Sequence, residues 1–174
     1  MPGPPSAALR LACTYTGVAR RRARSPPGRT TQPEGTLTGS AERIGNYRVE
    51  RVLGAGSFAT VWLATDELLD AKVAIKVLAD NWSHDDDIRR RFIEEARILR
   101  RADDERIVRV HTVDELEDGR PYFVMDHADR GTVHQRLHED GFTVGEAVHV
   151  ARQIALALDV IHAIVESPLL DNWR

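Results

Sequence analysis

The chain has 174 residues, 42% hydrophobic and 29% charged, a composition typical of a soluble globular protein with one core. Its net charge of −3 is unevenly spread, because residues 1–43 carry seven arginines and two glutamates, which leaves −8 for the rest. An acidic folded part argues against nucleic-acid binding. The single cysteine, Cys13, allows no disulfide within the chain and favours a reducing cytoplasm. No apolar run is expected to reach the roughly 18 residues that a membrane span needs.

Residues 1–43 are predicted to be a disordered tail. They hold six of the eight prolines and show no hydrophobic periodicity. Such a segment cannot bury enough apolar surface to offset the conformational entropy lost on ordering. Its arginine cluster at residues 20–24 is interpreted as a solvated tail, with contact to an anionic surface as the alternative.

Five strands are predicted from hydrophobic alternation and β-branched content, at residues 47–53, 58–64, 72–78, 107–113 and 122–125. Between the third and fourth strands, three aspartates at residues 85–87 complement the dipole of a helix start. Apolar side chains then recur at helical spacing up to about Ala102: Ile88, Phe92, Ala96 and Leu99. This order predicts an α+β fold, an antiparallel five-stranded sheet packed against one helix.

Two further helices are predicted after the sheet. A short one covers about residues 132–137, and a long one begins near Val144 and continues to about Ile161. The long helix is apolar over a wide face, so other helices are expected to cover it.

A glycine-rich segment between the first two strands is the first candidate binding element. Gly54 and Gly56 allow the backbone to approach a phosphate closely, because no Cβ shields their N–H groups. Lys76, one of only two lysines beside 22 arginines, lies on the third strand and offers a compact ammonium. A dinucleotide-binding turn is the alternative, but it requires a helix directly after the glycines, where this sequence predicts a strand.

Together these motifs resemble the N-terminal lobe of a eukaryotic-type serine/threonine protein kinase, of the kind that bacteria also carry. The resemblance covers about residues 47–162. It divides the chain into a tail at 1–43, an N-lobe with its hinge at 44–128, the start of a helical C-lobe at 129–163, and an off-pattern segment at 164–174.

The resemblance implies a set of ATP-binding residues. Gly54 and Gly56 match the first two glycines of the phosphate loop, whereas the third position is Ala59. The other residues implied to line the site are Leu53, Ser57 and Phe58 in the loop, Val61 and Ala74 over the adenine, Met125 as gatekeeper, and the backbones of Asp126 and Ala128 at the hinge. Val61 and Ala74 can also be plain sheet core, and the two interpretations do not exclude each other.

Two residues are implied to be catalytic. Lys76 matches the lysine that contacts the α- and β-phosphates, and Glu95 matches the helix glutamate that pairs with it. Glu94 is the rival partner, and an exposed surface salt bridge is the alternative reading of Glu95. The histidines show no spacing that indicates a metal site.

The rest of the family's catalytic apparatus is missing from the sequence. The family pattern continues to His162, but no His-Arg-Asp or Asp-Phe-Gly follows, so the base and the expected Mg²⁺ ligands are absent. A truncated kinase that holds ATP without transferring phosphate is therefore expected. A pseudokinase-like binding or interaction module, or a fragment of a small-molecule phosphotransferase, are the alternatives. Without a complete C-lobe, an exposed apolar surface is expected to mediate association with another kinase or protein.

Overall fold

The computed structural model describes residues 43–139 and 141–167. Its elements are β1 (Arg43–Ile44), β2 (Tyr47–Ala55), β3 (Ala59–Asp66), β4 (Ala71–Leu78), a 3₁₀ turn (Asp80–Trp82), α1 (Asp86–Arg101), β5 (Val110–Glu115), β6 (Pro121–Asp126), α2 (Val133–Glu139) and α3 (Val144–Val165). Residues 1–42 of the predicted tail, which include Cys13, and residues 168–174 of the off-pattern segment lie outside the described residues. Arg43, the last residue of the predicted tail, belongs to β1, and α3 continues into the off-pattern segment as far as Val165.

The sheet is antiparallel and has six strands in the order β1-β2-β3-β4-β6-β5. The prediction of five strands is therefore wrong by one. The additional strand, β1, pairs Ile44 with Tyr47 across a two-residue turn. Gly45 opens that turn with a φ of 54°, the left-handed conformation that such short hairpin loops require and that glycine adopts most easily.

Helix α1 packs on one face of the sheet. Asp85 caps it by accepting a hydrogen bond from the Ile88 N–H at 3.0 Å, and acidic residues occupy its first turn. The helix buries Phe92, Ala96 and Leu99 against the sheet. These are three of the four residues whose spacing predicts the helix.

Buried apolar side chains form two clusters, one on each face of the sheet. The helix-side cluster comprises Ala74, Leu78, Phe92, Ala96, Leu99, Ala102, Ile107, Val108, Val110, Phe123, Met125 and Ala157. The far-side cluster comprises Ile44, Ala64, Val73, Ile75, Val77, Tyr122 and Val124. Alternate residues of β4 enter different clusters, as the two-residue period of a strand requires.

Helix α3 contacts the sheet domain through its C-terminal half. Ala157 is buried in the helix-side cluster, and Val160, Ile161 and Ile164 pack against it. A capping box fixes the start of the helix. The Thr143 hydroxyl accepts a hydrogen bond from the Glu146 N–H, and the Glu146 carboxylate accepts one from the Thr143 N–H.

The N-terminal half of α3 is exposed, with Val144 82% and Val148 63% accessible. Within the described residues, α3 is the helix long and apolar enough to cross a membrane by length and composition alone. The expectation that no stretch of the chain meets that criterion is therefore too strong. Of the apolar window of α3, 6% is buried within the described residues, and Ala157 is the buried residue of the helix.

Candidate functional site

The centre of the site is an ion pair between the sheet and α1. The Lys76 Nζ lies 2.6 Å from Glu95 Oε1 and 2.7 Å from Glu95 Oε2, so the ammonium donates to both carboxylate oxygens. The Lys76 side chain is only 14% exposed, against 32% for Glu95. A charge this sheltered is poorly hydrated, so the carboxylate fixes its position more firmly than an exposed ion pair would.

Two phenyl rings complete the surroundings of the ammonium. The Lys76 Nζ lies 5.8 Å from the centroid of Phe92 and 5.5 Å from that of Phe123. The two rings also contact each other, with centroids 5.1 Å apart. Their π-faces attract the cation and exclude water from one side of it.

The structure pairs Lys76 with Glu95 and not with Glu94. Glu94 instead lies 3.7 Å from Arg97 on the exposed side of α1. The helical period explains the difference, because Glu95 is four residues before the buried Leu99 and so shares its face.

The glycine-rich segment is the hairpin between β2 and β3. Gly54 pairs with Val61 in the ladder, and the Gly56 N–H donates to the Ala59 carbonyl at 2.9 Å. Neither glycine is among those with a positive φ. A Cβ built on Gly54 would meet no atom within 4 Å, and one on Gly56 would lie 3.6 Å from the Ala59 oxygen.

This hairpin therefore has no steric need for glycine at either position. The space that a side chain would fill is open, and a ligand can approach the backbone through it. That is the property that the sequence pattern predicts for a phosphate-cradling loop.

The loop tip is held by a residue that the sequence analysis missed. The Trp82 indole N–H donates to the Ser57 carbonyl at 2.8 Å, and its ring lies 5.2 Å from that of Phe58. The Ala79 N–H also donates to the Phe58 carbonyl at 2.9 Å. No motif or spacing signals a contact between residues 25 apart in the sequence.

The residues implied to surround adenine are brought together on one face of the sheet. Ala74 and Met125 are neighbours in register and both belong to the helix-side cluster. Val61 lies opposite Lys76 in the ladder, is half-buried and packs against the same cluster. Leu53 is exposed on β2, next to the glycines. In this structure Ala74 and Met125 are core residues.

The hinge begins at Asp126, the last residue of β6. The Asp126 N–H donates to the Arg109 carbonyl at 3.0 Å, and its carboxylate lies 2.8 Å from the His111 Nε2. Ala128 lies two residues further on, half-buried and outside the strand. The side chain of Asp126 thus ties the hinge to the neighbouring strand β5.

The described residues offer no metal centre of their own. Within residues 43–139 and 141–167, no three His, Cys, Asp or Glu side chains are grouped so that they could hold an ion. The residues of these two ranges therefore do not form a Mg²⁺ site by themselves.

The sheet is antiparallel, carries a glycine-rich hairpin, and is joined to one packed helix by a lysine–glutamate pair. These features define the N-terminal lobe of a protein kinase. A family model for protein tyrosine and serine/threonine kinases matches residues 47–165. The chain belongs to this family.

Curated relatives are bacterial serine/threonine-protein kinases. The chain is 40% identical over 116 residues to PknJ of Mycobacterium tuberculosis, which covers 67% of this chain and 20% of that protein. It is 34% identical over 119 residues to PrkC of Bacillus subtilis, covering 68% and 18% respectively.

Solved structures agree with the sequence relatives. The crystal structure of the Mycobacterium tuberculosis PknI kinase domain superimposes with a TM-score of 0.60 at 28% identity. The match covers 73% of this chain and 52% of that one. The chain thus spans about a fifth of the curated relatives and about half of the solved kinase domain.

Proposed function

We propose that this chain binds ATP between its glycine-rich hairpin and Lys76, as the N-terminal lobe of a kinase that phosphorylates serine and threonine in proteins. The observation that carries the proposal is the ion pair of Lys76 with Glu95, sheltered by two phenyl rings and preceded by an open glycine hairpin. A bidentate, desolvated lysine–glutamate pair presents the ammonium in one place, as polyphosphate binding requires.

Each part of the site has a role in this proposal. The N–H groups at the tip, around Ser57 and Phe58, donate to phosphate oxygens, and Lys76 neutralises the α- and β-phosphates. Val61 lies over the adenine, while the backbones of Asp126 and Ala128 bond its edge. Glu95 orients the ammonium and does not itself touch the nucleotide.

We further propose that these 174 residues by themselves do not transfer phosphate. The sequence contains no His-Arg-Asp to orient the hydroxyl nucleophile and no Asp-Phe-Gly to hold Mg²⁺. The metal supplies charge neutralisation at the phosphates and would arrive with the nucleotide. A reducing cytoplasm stays the proposed location, to be checked by fractionation of cells expressing the chain.

Calorimetric titration with Mg-ATP and with adenosine tests the binding proposal. Lys76→Met is expected to weaken ATP binding by about 10- to 100-fold, since a charge-assisted hydrogen bond contributes about 1.5–3 kcal/mol. Adenosine, which has no phosphates, is expected to bind both proteins equally.

Lys72→Met is the matched control, because it is the same substitution on the chain's other lysine. Lys72 lies on the same strand and bonds to Glu50 and Thr65 instead of Glu95. Equal effects of the two substitutions on ATP affinity would sink the proposed site. Phosphate transfer from radiolabelled ATP to protein that is lost in Lys76→Met would overturn the proposed lack of activity.

A second candidate function is an interaction module of the pseudokinase type. The exposed apolar residues of α3 favour it, since contiguous exposed apolar surface indicates a binding surface. The partner would be another kinase or protein. Sedimentation at tens of micromolar should show self-association that Val148→Glu reduces, whereas a monodisperse monomer would count against this function.

A further inference from the structure

We infer that Trp82 is a positioning residue that latches the tip of the glycine-rich hairpin and so sets the contribution of the phosphates to nucleotide affinity. The inference rests on the proposed ATP site and adds to it a residue outside its motifs. The Trp82 indole contacts the loop tip both by a hydrogen bond and through its ring.

The local sequence fixes the position of the indole. Residues Asp80–Trp82 form a 3₁₀ turn directly after β4, in which the Trp82 N–H donates to the Ala79 carbonyl at 3.0 Å. Ser83 closes the turn through its hydroxyl, 2.7 Å from the Asp80 carbonyl. The indole is half-buried and packs against the helix-side cluster. Trp82 is therefore part of the rigid body of the domain.

The loop tip has few other attachments to that body. Within the described residues, its backbone is held by the Gly56–Ala59 bond inside the hairpin and by the Ala79–Phe58 bond to the end of β4. The Phe58 ring is 43% exposed and contacts Trp82. The indole thus supplies the side-chain hydrogen bond and the ring contact that hold the tip down.

The hydrogen bond also determines the orientation of one peptide group. Because the peptide is trans, the carbonyl of Ser57 and the N–H of Phe58 point in opposite directions. When the indole holds the carbonyl, the Phe58 N–H points away from Trp82 and cannot rotate. An N–H group oriented before the ligand arrives binds an anion with less loss of entropy.

Trp82→Phe tests the latch, because it keeps a phenyl ring beside Phe58 and removes the indole N–H with the rest of the pyrrole ring, the same atoms that the control substitution below removes. Loss of a hydrogen bond contributing about 1 kcal/mol is expected to weaken ATP binding about fivefold and to leave adenosine binding unchanged. Trp62→Phe is the matched control, since Trp62 packs against the far-side cluster on the opposite face. It is expected to alter neither affinity.

A ligand-free measurement separates this inference from the proposed function. Amide hydrogen exchange of residues 56–59 is expected to accelerate in Trp82→Phe and to match the wild type in Trp62→Phe. Unchanged exchange at the tip would overturn the latch even if the wild type binds ATP. If the wild type does not bind ATP, the proposed function fails, and the exchange result alone decides whether the latch exists.

Tryptophan fluorescence distinguishes an effect of Trp82 on phosphate binding from a purely structural role. In a Trp62→Phe/Trp173→Phe variant, Trp82 is the remaining tryptophan of the chain. ATP is expected to shift its emission and adenosine is not. Equal shifts with both ligands, or equal losses of ATP and adenosine affinity in Trp82→Phe, would show that Trp82 does not act through the phosphates.

Discussion

Glu95→Gln isolates the electrostatic part of the central ion pair. The amide has the shape of the carboxylate and keeps an oxygen that accepts a hydrogen bond, but it leaves the Lys76 ammonium without its counter-charge. Breaking a fully buried ion pair costs about 3–5 kcal/mol, whereas an exposed one contributes about 0–1 kcal/mol. With Lys76 14% and Glu95 32% exposed, we expect a loss of about 1–2 kcal/mol.

Urea unfolding and thermal denaturation measure this loss. One kcal/mol shifts the Tm of a domain of this size by roughly 3–5 °C, so Glu95→Gln should lower Tm by roughly 3–10 °C. The matched control is Glu94→Gln, the same change one residue earlier, where the partner Arg97 is 3.7 Å away and both side chains are exposed. It should change stability by less than about 0.5 kcal/mol.

Lys76→Met removes the other partner of the ion pair, the ammonium, and leaves the Glu95 carboxylate in place. Methionine can pack between Phe92 and Phe123, and the Glu95 carboxylate left behind is exposed enough to hydrate. Its cost should therefore be smaller than that of Glu95→Gln, although both variants lose ATP affinity. If Glu95→Gln and Glu94→Gln shift the unfolding midpoint equally, the ammonium is not sheltered and its ion pair with Glu95 adds no more stability than an exposed one.

Three further predictions concern stability. Phe123→Ala should cost about 3–5 kcal/mol in urea unfolding, because Phe123 is fully buried, while Phe58→Ala at the exposed tip should cost far less. Burial raises the pKa of the Tyr122 phenol, so the unfolded chain loses this proton at a lower pH than the folded protein does. The free energy of unfolding should therefore fall as pH rises above about 10. Tyr122→Phe should flatten that fall, and an unchanged slope would contradict it. Thr143→Ala removes the α3 capping box with Glu146 and should cost about 1 kcal/mol of stability, with less helical circular dichroism on heating.

Much of the fold could be predicted from local pattern. Helix α1 was predicted almost to the residue, because an acidic cap and a strongly amphipathic face both mark it. The strand at residues 107–113 was predicted too early, since β5 begins at Val110. Ile107 and Val108 are buried, but a turn around Asp104 holds them outside the strand. Periodicity reports burial, and it cannot distinguish a buried strand from a buried turn.

Some contacts of the candidate site could also be predicted from the sequence, and others could not. The pairing of Lys76 with Glu95 was expected from the family resemblance, and the helical period favours Glu95 over Glu94. The contacts of Trp82 with Ser57 and Phe58 could not be predicted, because they depend on where a 3₁₀ turn places one side chain in space. Strand β1 was missed because two residues are too few to show a period, although Gly45 and Asn46 carried a turn signal.

Strand β1 also bears on how this domain should be produced in isolation. The family match begins at residue 47 and leaves out Arg43 and Ile44, which pair with the first two residues of β2 at one edge of the sheet. A two-residue strand carrying an arginine is a poor template for a further strand, so it protects the sheet from edge-to-edge aggregation. Expression from residue 47 would uncover the start of β2, at Tyr47 and Arg48, the two positions with which β1 pairs. Starting before Arg43 should therefore give the more soluble protein.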